Sequence, residues 1–306
     1  MKLLEITLIR QKQYIKIKGD FSVGTKTKID YADSTWNPVT GCLHGCEYCY
    51  ARGIAKRFEG GCLKADGTFH MPGRDSSFYI EGEKQLIAEL KEPIYRKVND
   101  KLVIAPYPYG FYPTLHEYRL NEYTNKKGRI IFIGSMTDLF GEWVPDEWIE
   151  KVFTACDNAP QHIYLFLTKN PLRYKKLAEK GILRKNDNMW YGTSITDESS
   201  AQSATIAMSD IAKMGYHNIF ASIEPLLGPI ETSTLTLMSQ YFKWIIIGAE
   251  TGKRKDRVVP EKEGICSITS VCKNNSIPVF MKSSLEDIWK ETLIQEYPFV
   301  KGEKHV

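Results

Sequence analysis

The stretch "HIYLFLTKNPLRYKK" (162–176) contains the unit that decides the fold. Its first half is a run of apolar, β-branched and aromatic residues, which predicts a buried strand over 162–168. Asn170-Pro171 then supplies a first-turn proline, and the pattern that follows predicts a helix over 171–180. A strand followed directly by a helix is the unit from which parallel sheets are built.

The same unit recurs on both sides of this stretch. Candidate strands lie at 28–33, 101–106, 129–135, 162–168, 189–195, 218–223, 243–249 and 277–282, and candidate helices at 46–58, 83–91, 146–157, 171–180, 198–214 and 261–275. Strands this apolar are typical of a parallel sheet that is covered on both faces. The pattern predicts an α/β fold of the complete or partial TIM-type (β/α) barrel kind, with an open doubly wound sheet as the main rival.

Length and composition indicate one soluble globular domain. The chain has 306 residues, 42% hydrophobic and 25% charged, with a net charge of only +4. We expect an N-terminal arm over 1–24 and a single barrel domain over 25–306, with an inserted Gly-rich loop at 59–82. No apolar run approaches the roughly 18–20 residues of a membrane span, and the N-terminus lacks the pattern of a signal peptide. The expectation is a cytoplasmic protein without a membrane partner.

Three of the seven cysteines lie within "TGCLHGCEYCYAR" (40–52). A structural zinc site normally takes two pairs of ligands, and no second C-x-x-C pair exists. His44 could complete a Cys₃His site on spacing alone, but the single residue between it and Cys42 would strain the tetrahedron. Three thiolates can instead hold a [4Fe-4S] cluster and leave one iron available. The residues alone leave an iron–sulfur cluster, zinc and unligated thiols open.

The position of the triplet favours the cluster. It follows the first candidate strand, so it is expected at the carboxyl end of the barrel, where such folds place their active sites. With Tyr48 before Cys49, the pattern C-x₃-C-x-aromatic-C resembles the signature of radical S-adenosylmethionine (SAM) enzymes. The resemblance implies a [4Fe-4S] cluster on Cys42, Cys46 and Cys49, with SAM chelating the fourth iron and Tyr48 near its adenine. His44 is then expected to be a bystander.

The same resemblance implies a reaction and its partners. An electron donor such as flavodoxin or ferredoxin would reduce the cluster. SAM would be cleaved to a 5′-deoxyadenosyl radical that abstracts hydrogen from a substrate. These expectations make the chain a radical SAM enzyme with two cofactors, the [4Fe-4S] cluster and S-adenosyl-L-methionine.

A longer resemblance covers about residues 25–283. It is carried by "TKIDYADSTWNPVTGC", "IFIGSMTDLFGEWVP", "YLFLTKNPLRY", "MWYGTSITDE", "SIEPLLGPI" and "WIIIGAETG". Together these segments are similar to a phage- and prophage-associated radical-SAM-like family of unassigned activity, a distant relative of spore photoproduct lyase, which repairs DNA. This relation favours a nucleotide or nucleic acid as the substrate, for modification or repair. The alternatives are a zinc-bearing nucleic-acid-binding module without redox catalysis, and an interaction protein with vestigial thiols.

Polar residues and glycines follow the other candidate strands, and in a barrel all these strand ends lie on one rim. Six of them are expected to contact SAM: Lys169, Thr193, Ser194, Glu224, Gly248 and Glu250. Lys169 could pair with the SAM carboxylate or with a substrate phosphate. Pro225 restricts Glu224 to an extended backbone, which suits a carboxylate that binds an ammonium or a sugar diol. Gly248 is expected to allow a close approach of the backbone; its segment resembles, without the full pattern, the one that contacts adenine in radical SAM proteins.

Asp138, Arg173 and Arg254 are the candidate substrate contacts. Asp138 could bind a ribose hydroxyl or an amine, or it could cap the helix that begins beyond residue 145. Arg173 lies one helical turn beyond Lys169. Arg254 belongs to "KRKDR" (253–257), which makes the rim more basic than the net charge indicates.

An aromatic segment and a fourth cysteine are further candidates for the site. The aromatic residues of "APYPYGFYP" (105–113) could stack on a base or pack against the barrel. Cys62, in the Gly-rich insertion, could return a hydrogen atom to a substrate radical, although a loop thiol is more often incidental.

Overall fold

The computed structural model describes residues 27–59, 86–251 and 255–299, together with the strand pieces Cys62–Leu63, Phe69–His70 and Tyr79–Ile80. The predicted arm 1–24 and most of the predicted insertion 59–82 lie outside these residues.

The elements are numbered here along the chain. The described residues contain the strands β1 (Ser34–Trp36), β2 (Val39–Thr40), β3 (Cys62–Leu63), β4 (Phe69–His70), β5 (Tyr79–Ile80), β6 (Leu86–Leu90), β7 (Tyr95–Val98), β8 (Lys101–Ile104), β9 (Thr114–His116), β10 (Ile130–Ile133), β11 (Ile163–Thr168), β12 (Met189–Ile195), β13 (Ile219–Ile223), β14 (Trp244–Ile247) and β15 (Val279–Met281). The α-helices are α1 (Tyr50–Phe58), α2 (Asp146–Asp157), α3 (Leu172–Glu179), α4 (Glu198–Lys213), α5 (Thr232–Tyr241), α6 (Lys262–Asn274) and α7 (Glu286–Trp289). Two 3₁₀ turns lie at Glu117–Arg119 and Ser283–Leu285.

The central sheet has seven strands, in the order β1-β10-β11-β12-β13-β14-β15. Every neighbouring pair is parallel. Because the strand order follows the chain without reversal, right-handed crossovers place the connecting helices on one side of the sheet. The sheet is therefore a partial (β/α) barrel, with β1 and β15 as its edges within the described strands. This confirms the predicted fold class, and the absence of a reversal in this sheet excludes the doubly wound alternative.

The two faces of this sheet bury different cores. The outer face packs on the helices, where Phe153 of α2 contacts both Phe166 and Tyr191 of the sheet. The inner face carries a separate aromatic cluster that includes Trp190 and Trp244. This cluster fills the barrel interior below the carboxyl ends of the strands, so polar residues that follow it along each strand lie at the rim.

Two smaller sheets interrupt the connection between the first two barrel strands. One has the order β2-β9-β6-β5 and the other β4-β3-β7-β8. Within the ranges given above, no helix is long and apolar enough to cross a membrane.

Three element predictions differ from the structure, and a helix was missed. The predicted strand 28–33 is too early, because Tyr31 packs in a turn at the barrel interior and β1 begins three residues later. The predicted strand 101–106 is β8, which pairs with β7 outside the barrel. The predicted helix 83–91 is wrong: β6 lies there and pairs with β9. Helix α5 was missed, since its threonines favour a strand on propensity alone.

Candidate active site

The cysteine loop, defined here as residues 41–49, connects β2 to α1 at the carboxyl end of β1. It begins at Gly41, whose φ of +88° favours glycine. A Cβ there would lie 2.2 Å from the backbone oxygen of Tyr112. The loop turns again at Gly45, with φ of +73°. Backbone geometry therefore fixes where the loop starts and where it bends.

The three cysteines of this loop are free thiols and partly buried. Cys49 is the N-cap of α1, and its Sγ accepts a hydrogen bond from Arg52 N at 3.4 Å. Burial raises the pKa of Cys42 to about 11, and the charges of Asp138, Cys49 and Cys46 add to the rise.

The donor set suits a thiophilic metal or an iron–sulfur cluster, because three thiols share one short loop. Over the described part of the chain, however, no three Cys, His, Asp or Glu side chains converge as a preformed metal site. The chemistry of the residues therefore fits a cluster, and the thiols would have to move closer together to hold one.

The segment after β10 supports the cysteine loop along its length. Met136 N donates to the side chain of Asn37 at 2.9 Å, and Gly41 N donates to Met136 O at the same distance. Thr137 Oγ1 donates to Gly41 O at 2.6 Å. The loop is therefore attached to the end of a barrel strand.

Asp138, at the end of this segment, is buried and accepts four hydrogen bonds. Its Oδ1 accepts from Phe140 N at 3.1 Å and from Thr168 Oγ1 at 2.7 Å. Its Oδ2 accepts from Lys169 N at 2.8 Å and from His44 Nε2 at 2.7 Å. Both carboxylate oxygens are therefore engaged within the protein.

These contacts correct two expectations. Asp138 is not the cap of α2, because Pro145 occupies the N-cap position of that helix. His44 is not a bystander, because it joins the cysteine loop to a buried carboxylate and packs edge-on against Trp143, with ring centroids 4.9 Å apart.

Lys169 and Tyr48, two of the predicted cofactor contacts, meet each other. Lys169 Nζ donates to the Tyr48 hydroxyl at 3.2 Å and lies 5.3 Å from the centre of its ring. Lys169, which follows β11, thus contacts Tyr48, the residue directly before the third cysteine of the loop, Cys49.

The inner face of the barrel becomes polar toward the rim. Trp190 and Phe220 belong to the interior cluster, so the two-residue period of a strand directs Ser194 and Ser222 to the same face. Ser194 and Ser222 are also paired in register. Thr193 lies on the opposite face, away from the interior, where its Oγ1 has no hydrogen-bond partner among the described residues.

Glu224 and Lys282 form an ion pair at the ends of β13 and β15. Gly248 makes room for it, since a Cβ there would lie 3.2 Å from Cδ of Glu224 and 3.0 Å from Cδ of Lys282. The close approach predicted at Gly248 is therefore an approach to this pair. Glu250 is buried, and its Oε2 accepts from Val258 N at 3.4 Å.

Arg173 has partners inside the protein. Its guanidinium lies 2.5 Å from Asp146 and 3.4 Å from Glu142, and it donates to Val144 O at 2.9 Å. It holds the loop that precedes α2. Arg254, the other predicted cationic contact, lies outside the described residues.

The predicted aromatic segment lies beside the cysteine loop. Cys42 N donates to Phe111 O at 3.2 Å, and the Arg52 guanidinium lies 5.8 Å from the centre of the Phe111 ring. Tyr112 is 46% exposed, whereas Tyr109 is buried. The segment therefore both packs against the protein and presents a ring to solvent.

Tyr50, the first residue of α1, is a further exposed aromatic residue beside the cysteine loop; Tyr50, Arg52 and Tyr112 together are called the mouth of the barrel. Tyr50 is 57% exposed, and its hydroxyl donates to Ser135 O at 2.8 Å. Partial burial raises its pKa to about 12, and the charges of Glu224 and Cys49 add to the rise.

Three residues of the site were missed in the sequence: Asn37, Tyr50 and Lys282. Lys282 ends a predicted strand, so the reasoning that selected Glu224 could have found it. Asn37 and Tyr50 act through contacts across the fold and carried no comparable signal. The side chain of Cys62 lies outside what the structure describes.

A family model described as "Protein of unknown function (DUF5131)" matches residues 26–296. No curated protein matches the chain. Among solved structures, spore photoproduct lyase complexed with dinucleoside spore photoproduct is similar at 10% identity and a TM-score of 0.47, covering 86% of this chain and 80% of that one. A mutant of that lyase with bound AdoMet and dinucleoside spore photoproduct is similar at 10% identity and a TM-score of 0.49, covering 84% and 78%.

Proposed function

The chain belongs to the DUF5131 family of proteins of unknown function, and we propose that this member is a radical SAM enzyme. The observation that carries the proposal is the placement of Cys42, Cys46 and Cys49. They lie on one loop at the carboxyl end of a parallel partial barrel, which is the end where such barrels carry out chemistry. The aromatic Tyr48 lies next to the third thiol.

Each group of residues at the site would have its own role in this activity. The three thiols would hold a [4Fe-4S] cluster, which supplies the electron for cleavage of SAM to a 5′-deoxyadenosyl radical. Ser194 and the Glu224–Lys282 pair face the barrel interior at the carboxyl ends of their strands and offer hydrogen bonds to a polar ligand. The aromatic cluster beneath them excludes water, which protects a reactive radical from side reactions.

We propose a nucleotide or nucleic acid as the substrate. Tyr50 and Tyr112 expose their rings beside the cysteine loop, and Arg52 adds a cation between the loop and Phe111. Exposed aromatic rings next to a cation are the elements that bind unpaired bases, because every base offers a flat face for stacking.

Anaerobic reconstitution with iron and sulfide tests the cluster. We expect a brown protein with about four irons per chain, which forms 5′-deoxyadenosine from SAM when dithionite is added. Cys46→Ala should lose both the cluster and at least 100-fold of the SAM cleavage, since a three-cysteine cluster has no spare ligand. Cys266→Ala is the matched control, because Cys266 is a partly buried free thiol on α6, distant in sequence from the loop.

Metal analysis of the same samples separates this proposal from the zinc-bearing module. A colourless protein with stoichiometric zinc would favour that alternative. A Cys46→Ala variant that kept its iron and its SAM cleavage would refute the radical SAM assignment.

A further inference from the structure

Two side chains of the cysteine loop other than the cysteines reach the same pair of strand ends. His44 binds Asp138 at 2.7 Å, and Tyr48 accepts from Lys169 at 3.2 Å. The two anchoring residues are themselves joined, since Lys169 N donates to Asp138 at 2.8 Å. These four residues form one connected unit, which we call the clasp.

The clasp is attached to rigid parts of the barrel. Asp138 follows β10 and also accepts from Thr168, the last residue of β11. Its carboxylate is buried, and hydrogen bonds to a buried carboxylate are short and strong. Trp143 packs against the His44 ring from the side. A loop held in this way is positioned by the sheet.

The two clasp residues of the loop lie close in sequence to the three cysteines. His44 lies midway between Cys42 and Cys46, and Tyr48 lies directly before Cys49. Fixing these two positions limits the directions of all three thiols. We propose that Asp138 and Lys169 are positioning residues that hold the cysteine loop through His44 and Tyr48, which limits the movement that the three thiols need to bind one cluster.

This assignment differs from the sequence-based expectation that Lys169 binds SAM and Asp138 binds substrate. The clasp proposal depends on the proposed function only for the identity of the bound metal group. The contacts of the clasp hold the loop in the metal-free chain as well. Partners that orient metal ligands typically change metal affinity by about 10- to 100-fold when removed.

The test uses paired variants of His44. His44→Leu removes the donor to Asp138, whereas His44→Gln keeps an N–H at nearly the same distance from the backbone. The first measurement is the alkylation rate of each thiol in the metal-free, full-length protein, read by mass spectrometry. For His44→Leu we expect Cys42 and Cys46 to react about tenfold faster, the effect of losing a hydrogen bond to a charged group on local opening. His44→Gln should stay close to the wild type.

Lys169 is tested in the same way. Lys169→Met should raise the alkylation rate of Cys49, and Lys169→Arg should restore it in part, because a guanidinium can still donate to the Tyr48 hydroxyl. Cys266 serves as the internal reference in every variant: an unchanged rate there shows that the fold is intact.

The second measurement follows iron. After reconstitution, iron should pass to a chelator about tenfold faster from His44→Leu than from the wild type, with His44→Gln in between or equal to the wild type. The electron paramagnetic resonance spectrum of the reduced cluster should broaden in His44→Leu and recover in His44→Gln.

The outcomes separate the two proposals. Equal alkylation of Cys42 and Cys46 in His44→Leu and wild type would overturn the clasp, whatever the iron content. If His44→Leu loosens these thiols but no variant takes up iron, the clasp stands and the radical SAM assignment falls.

Discussion

Steric crowding explains why a glycine occupies position 248. The Glu224–Lys282 ion pair crosses the space that a Cβ would occupy, at 3.2 and 3.0 Å from carbon atoms of the two partners. Both side chains are mostly buried, so neither can move far without losing packing. One residue without a side chain thus shapes the inner wall of the barrel.

We expect Gly248→Ala to displace the ion pair by a few tenths of an ångström and to destabilise the protein by about 1–2 kcal/mol, a typical effect of overpacking. Urea unfolding measures this change. Gly264→Ala is the control: Gly264 lies in α6 with open space around it, so alanine there should stabilise by up to about 1 kcal/mol. Equal stability changes at the two sites would contradict the steric account.

At the scale of elements, the β2–β9 pair leads into the cysteine loop. His116 of β9 is fully buried, with Nε2 2.9 Å from Thr40 Oγ1 and Nδ1 3.2 Å from the Tyr118 hydroxyl. Burial lowers the pKa of His116 to about 3, and the nearby charge of Arg119 lowers it further. The folded state therefore holds His116 neutral, while the unfolded chain protonates it near pH 6.5.

This difference between the folded and unfolded pKa of His116 predicts that acid lowers the free energy of unfolding of the protein. The stabilising contribution is complete above about pH 6.5 and is lost as the pH falls toward 3, because the unfolded state then binds an additional proton. Between pH 7 and pH 4 the loss from this group is up to about 3 kcal/mol. Urea unfolding at several pH values should show a smaller pH dependence for His116→Gln than for the wild type. An unchanged dependence would show that other groups cause it.

Strands and helices differ in how well the sequence predicts them. The long apolar runs predicted six of the seven barrel strands, and the clustered thiols with the following helix predicted the cysteine loop. Thr193 and Ser194 could not be separated, because their opposite orientations depend on the pleat of β12. The helix predicted at 83–91 is β6, which pairs with β5 on one side and on the other with β9, a strand more than twenty residues away. Likewise, nothing local connects His44 to Asp138.

At the scale of the whole molecule, the mouth of the barrel determines what can reach the cysteines. Tyr50 and Arg52 of α1 and Tyr112 of the segment 105–113 lie beside the loop. Because stacking on aromatic rings does not depend on base identity, this mouth is expected to bind single strands with little sequence preference.

We expect the protein to bind a short single-stranded oligonucleotide with an affinity that falls as salt rises. Tyr112→Ala should weaken binding by about 1–3 kcal/mol, the usual contribution of one stacked base. Fluorescence anisotropy with a labelled oligonucleotide measures both effects. Ile206→Ala, a substitution of a 64% exposed residue on the outer helix α4, is the control. If both variants bind like the wild type, Tyr112 does not contact nucleic acid.

The two small sheets between β1 and β10 have a consequence for the order of folding. Ser34 pairs with Ile131, about three times farther along the chain than Ile130 is from its partner Ile163. Closing the longer loop costs about 1 kcal/mol more in chain entropy. The barrel from β10 onward can therefore assemble from near neighbours, and β1 joins it late. Since β1 leads into the cysteine loop, the thiols are among the last groups to reach their places, so the proposed cluster would be bound late in the maturation of the chain.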